Sequence, residues 1–120
     1  VSEHDYLYRC RSLIDEKVPL AFGTDLPFGE PNPWSAMRAA TDRQTGGGNV
    51  LNSAECITPE QALTGFLGAL ESPFEARQVS IGADADLCLL DAPWHEVRMD
   101  LDARHVKLTI IGGEVVYFRD

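Results

Sequence analysis

Apolar residues recur at three- and four-residue spacing near the start of the chain. Tyr6, Leu7, Cys10, Leu13 and Ile14 share one stripe of a helix predicted over residues 3–16. The pattern changes at Pro19. Leu20, Ala21 and Phe22 are apolar in succession, as in a strand covered on both faces, so residues 19–24 read as a short buried strand. A helix, a short link and a two-sided strand predict a βα-type unit with a parallel sheet.

Asn32 and Pro33 form a helix start, with an amide oxygen to cap and a proline at the first helical position. That helix is predicted to run to about Gln44 and to stop at Gly46-Gly47-Gly48. The triple glycine is read as a loop and not as a phosphate cradle, since no strand precedes it and no G-K-[ST] follows. Thr58-Pro59-Glu60-Gln61 is a capping box, and Ala62, Leu63, Phe66, Leu67 and Leu70 line one helical face until Ser72-Pro73. After Pro73 the periodicity turns to that of strands. Residues 79–93 read as a turn and a strand, and residues 105–118 as a hairpin about Gly112-Gly113. Val106, Leu108 and Ile110 face inward in this reading, with His105, Lys107 and Thr109 on the solvated side. The expected fold class is therefore α+β, with an α/β region over residues 1–72 and a β region over residues 73–120.

Composition removes several function classes. The chain has 120 residues and a formal net charge of −9, which repels phosphate backbones and anionic lipid and speaks against nucleic-acid and membrane partners. No apolar run approaches the roughly 20 residues of a membrane span, and the N-terminus lacks the pattern of a signal peptide. The chain does not begin with Met, which suggests an internal piece of something longer or a trimmed chain. Cys10, Cys56 and Cys88 are odd in number and far apart, so they fit neither a zinc ribbon nor a disulfide framework. Reduced thiols in a cytoplasmic protein are expected.

Asp25 is the first candidate for chemistry. A carboxylate at the C-terminal end of a buried strand lies where α/β sheets and barrels place catalytic groups. It could ligate a metal or take a proton from metal-bound water. It could equally cap its own loop by accepting backbone N–H groups, and spacing leaves both readings open. His4, His95 and His105 are far apart with no H-x-H or H-x-x-E-H, so each reads as a surface or structural residue. Ser35, Ser53 and Ser80 lie in no nucleophile-elbow context. The acidic turn at residues 82–87 lacks the ligand spacing of a calcium loop. No complete catalytic set is visible.

Four segments, read in order, resemble the C-terminal end of an amidohydrolase-superfamily enzyme, closest to the subgroup that includes N-acyl and formamide hydrolases. They are RSLIDEKVPLAFGTDLPFGEPNPWSAMRAATDR, ITPEQAL, IGADADLCLLD and VKLTIIGGEVVY. The resemblance implies the end of a (β/α)8 barrel followed by the C-terminal strands of a small composite β-sandwich. It implies a metal-dependent hydrolase of C–N bonds in amides or cyclic amides, in which metal-activated water attacks. Asp25 would then be a metal ligand, a general base, or both, and Phe28, Asn32 and Trp34 would help to wall the substrate pocket. Gly82, Ala83 and Asp86 match a structural turn of the family. Zinc or another divalent metal is implied for the full-length enzyme and none for this chain alone, because the family's H-x-H, bridging residue and later histidines would precede Val1. The isolated chain is expected to be inactive, with a small amide-type molecule as substrate of the whole protein. Exposed hairpin edges are expected to favour a homo-oligomer. The alternatives are an independent small α+β binding or oligomerisation domain without catalysis, and an enzyme completed across an oligomer.

Overall fold

The computed structural model describes residues 3–120 and divides into two compact units, residues 1–77 and residues 78–120. The fold is α+β. Among the described residues the sheets are both antiparallel, one of two strands and one of three.

The first unit begins with a 3-10 turn at Glu3–Tyr6, and helix α1 follows only at Cys10–Asp15. The continuous helix predicted over residues 3–16 is thus broken. The cause is tertiary: the carbonyls of Leu7 and Tyr8 turn away from the helical ladder and accept Nη2 and Nη1 of Arg43 at 2.7 and 3.0 Å. Tyr8 takes a left-handed φ of 50° to allow this, a conformation that costs an L-residue about 1–2 kcal/mol. Helix α1 closes with Lys17 at φ 58°. Lys17 N–H donates to Ile14 O and Val18 N–H to Leu13 O, each at 2.9 Å, the paired bonds of a Schellman ending.

The strand expected over residues 19–24 does not form. The segment is extended, and among the described residues its one backbone hydrogen bond is from the Phe22 N–H to the Gly65 carbonyl at 2.8 Å. Burial on both faces was the sequence signal, but a strand also needs a neighbour to complete its ladder, and no described residue pairs with this run.

Helix α2 spans Pro33–Asp42 as its signals predict, with Asn32 Oδ1 accepting the Trp34 N–H at 3.0 Å. Trp34 and Met37, one turn apart, are buried. The helix ends at Arg43, in the left-handed region with φ 58°. Gly46–Gly48 belong to a tight reversal that follows. Gln44 bridges Val50, and Gly48 at φ 81° turns the chain. Helix α3 spans Pro59–Thr64, and both bonds of its capping box are made: Gln61 N–H to Thr58 Oγ1 and Thr58 N–H to Gln61 Oε1. The Ile57 N–H reaches the Ala40 carbonyl at 3.2 Å and ties the approach to α3 onto α2.

The helix was expected to continue to Ser72. It stops because the chain must pass close to other groups. A Cβ on Gly65 would lie 2.5 Å from the Phe22 ring, and one on Gly68 would lie 2.1 Å from the Pro73 carbonyl. Strand β1 (Gly68–Ala69) then pairs with β2 (Ser72–Ala76), so residues 72–76 pack with the first unit.

In the second unit β3 (Leu87–Leu90), β4 (Val106–Ile111) and β5 (Glu114–Phe118) form a sheet in that order. Gly112 and Gly113 take φ of 57° and 85° at the hairpin turn, as two-residue turns of this hand require. Asp86 Oδ1 accepts the Gly112 N–H at 2.8 Å and the Ala85 carbonyl accepts that of Gly113 at 3.0 Å. The short helix α4 (Trp94–Val97) lies between β3 and β4, and Val97 and Leu101 are buried.

Arg43 is 5 % exposed, and its guanidinium also donates Nε to Leu51 O at 3.0 Å. Arg43→Met is expected to lower unfolding free energy by about 3–5 kcal/mol, because three carbonyls lose a charged donor. Chemical denaturation checks this, and a loss under about 1 kcal/mol would contradict the assignment of Arg43 as the organiser of the unit.

Candidate functional site

The loop after Phe22 is built from backbone. Asp25 adopts φ 58°. Its carbonyl accepts both the Phe28 and the Gly29 N–H at 2.8 Å, which folds residues 25–29 into a closed turn. Gly29 is required for that closure: a Cβ there would lie 1.9 Å from the Thr24 carbonyl oxygen. The Leu26–Pro27 peptide is cis.

The main-chain oxygen of Asp25 therefore does the closing. Its carboxylate is exposed and makes no hydrogen bond or ion pair with any described residue. The loop-cap reading needed that carboxylate to accept backbone N–H groups, and it does not. The left-handed conformation costs an aspartate less than most L-residues but more than glycine.

The other residues singled out are placed differently from one another. Phe28 is 90 % exposed on the closed turn. The Asn32 amide oxygen is spent on the α2 cap, and Trp34 is only 9 % exposed, in the core with Met37. A cavity of about 460 Å³ lies nearby in the first unit. Tyr8, Cys10, Phe22, Gly23, Ala36, Ala40, Arg43 and Phe66 are among its lining residues, and Asp25, Phe28, Asn32 and Trp34 are not. Cys10 is pushed above the ordinary thiol range by burial, which keeps it protonated and unreactive.

The histidines do not gather at Asp25. His95 is exposed beside Glu96. His105, expected on a solvated strand face, is instead held between Asp91 and Asp100, at 3.0 Å from each. Among the described residues no three His, Cys, Asp or Glu side chains converge to hold a metal ion. Asp25 offers one carboxylate arm.

Two features carried no signal in the sequence. Glu55 is buried, and its carboxylate accepts the Ser12 N–H at 2.9 Å and the Ser12 hydroxyl. The Ser12 hydroxyl and N–H hold the Glu55 carboxyl below its usual range. Arg43 looks like any basic residue closing a helix. Both roles depend on partners 30 or more positions away, which local pattern does not encode.

A sequence model of the amidohydrolase family matches residues 3–117. The chain is a member of the amidohydrolase family, a class of hydrolases. Comparison with curated proteins and with solved structures gives no match.

Asp25→Gly removes a strained Cβ and no bond, so it is expected to raise unfolding free energy by about 0.5–1 kcal/mol. Thermal or denaturant melts check this. A loss of about 1 kcal/mol or more would mean that the carboxylate fastens the loop after all.

Proposed function

We propose that this chain forms one wall of the active site of a metal-dependent amidohydrolase that hydrolyses C–N bonds in amides or cyclic amides, of the kind that includes N-acyl and formamide hydrolases. Residues 1–72 would be the end of its barrel, and residues 73–120 part of its smaller β-sandwich. One observation carries the reading: in a chain matched by the family over residues 3–117, Asp25 is presented with its carboxylate unspent. A carboxylate in that state can bind a cation or accept a proton from water without first breaking a bond in the protein. Asp25 would hold or face a divalent metal there, which would supply a nucleophilic water at neutral pH. Its other ligands would come from outside the described residues.

Within the chain, Asp25 would be the acid–base or ligating group and Phe28 an apolar flank facing the substrate. Asn32 and Trp34 would set the loop's position through the start of α2. Three free thiols support a reducing, cytoplasmic setting. Pairing of copies through the outer edges of β3 and β5 belongs to the same proposal.

The test compares hydrolysis of an N-acyl amide by the 120-residue chain and by the protein extended upstream to an H-x-H. The extended protein is expected to turn over in a chelator-sensitive way, while residues 1–120 alone are inactive and bind zinc only weakly. Tight stoichiometric zinc on the 120-residue chain, lost in Asp25→Ala, would overturn the expectation that the chain needs outside ligands. An extended protein that hydrolyses no amide would overturn the function.

A further inference from the structure

Two aspartates from different segments of the second unit meet at the His105 ring. Asp91, just after β3, places Oδ1 3.0 Å from Nδ1. Asp100, in the segment after α4, places Oδ2 3.0 Å from Nε2. Each carboxylate has a second, cationic partner: Arg119, just after β5, reaches Asp91 Oδ2 at 2.6 Å, and Arg104 pairs with Asp100.

The ring therefore meets an ionised acceptor at both nitrogens. A neutral imidazole has one N–H, so both contacts are made only by the protonated ring. The two arms are not equivalent. The Asp91 N–H donates to the His105 carbonyl at 2.9 Å, and Arg119, which clamps the Asp91 carboxylate, is itself tied by its N–H to the Lys107 carbonyl at 2.9 Å. Asp91 is thus fixed to the sheet from two sides. Asp100 has no such backbone tie to the sheet and keeps Arg104 as an alternative partner on its own segment.

We propose that His105 is a proton-operated latch: protonated, it fastens the segment over residues 98–104 to the end of the β-sheet, and neutral, it keeps Asp91 through Nδ1–H and lets the Asp100 arm go. Val97 and Leu101 remain buried on either side of Asp100, so the release is local and does not unfold the unit.

The direction of the pH dependence follows from the neighbours. The hydrogen bonds that the His105 ring donates to Asp91 and Asp100 raise its pKa above its ordinary value, and the same bonds, with Arg119 and Arg104, hold the two aspartates below theirs. The histidine contribution is fully present below about pH 6.5 and is lost as pH rises through the raised value. The carboxylate contribution is present above about pH 3.9 and is lost as pH falls through the lowered values. The latch is closed between these limits.

Amide hydrogen exchange on the 120-residue chain from pH 5.5 to 9, corrected for the intrinsic rate, tests this. Protection at Asp100, Arg104 and His105 is expected to fall about fivefold as His105 loses its proton, with β4 unaffected. His105→Gln should remove the step. Protection that does not change with pH, or that changes equally in His105→Gln, would overturn the proposal. Nitrogen shifts of the wild-type ring give a second readout that needs no variant. Two protonated nitrogens at low pH and the Nδ1–H tautomer at high pH are expected, and an Nε2–H tautomer would contradict the release of Asp100.

Discussion

The first unit depends on one buried cation. The Arg43 guanidinium donates to the carbonyls of Leu7, Tyr8 and Leu51, and the Arg43 carbonyl accepts the Leu51 N–H at 2.9 Å. Removing such a charge from water costs roughly several kcal/mol unless its donors are used, and here backbone oxygens use them. The carbonyls of residues 7 and 8 cannot serve a helix and Arg43 at once, so the helix breaks and restarts at Cys10. The reversal over residues 44–50 closes because Leu51 is held from two directions. The two Ser12 bonds, with weaker help from Arg9 and Arg43, favour the ionised form of buried Glu55, which anchors Ser12 at the start of α1.

The Asp25 loop extends the same economy of means. Backbone hydrogen bonds and the absence of a Cβ at Gly29 close the turn, and no side chain is consumed. The result is a residue held in an unfavourable conformation with its functional group left open. Stability alone would favour glycine at this position. Tyr8, Lys17, Arg43 and Asn52 share the left-handed region, so it is the open carboxylate, and not the backbone strain, that sets Asp25 apart.

What could be read from the sequence was what is locally determined. Asn32-Pro33, the Thr58–Gln61 box and Gly112-Gly113 each specify their structure within four residues, and each is found as expected. The misread elements are those decided at a distance. The apolar stripe through Tyr6, Leu7 and Cys10 is compatible with one helix, and Arg43, some 35 positions on, takes up the carbonyls where it breaks. Residues 19–24 have the composition of a strand without a partner to make them one. The helix predicted to reach Ser72 ends early because Gly65 and Gly68 approach Phe22 and Pro73. His105 has the alternation of a solvent-facing residue, but two aspartates from other elements enclose it. Sequence order singled out Asp25 as a candidate, while the unspent state of its carboxylate is a property of the folded loop.

The Asp25 carboxylate is left open by the fold, and the proposed hydrolysis stands or falls on whether it takes part in the chemistry. The most direct measurement is kcat for amide hydrolysis in the extended protein carrying Asp25→Asn, which keeps shape and removes the ability to bind a cation or take a proton. The expected result is a fall of about 10²–10⁴-fold in kcat with an unchanged melting temperature. A variant that retains kcat within a few-fold of the wild type would contradict the account, since Asp25 would then have no part in the chemistry.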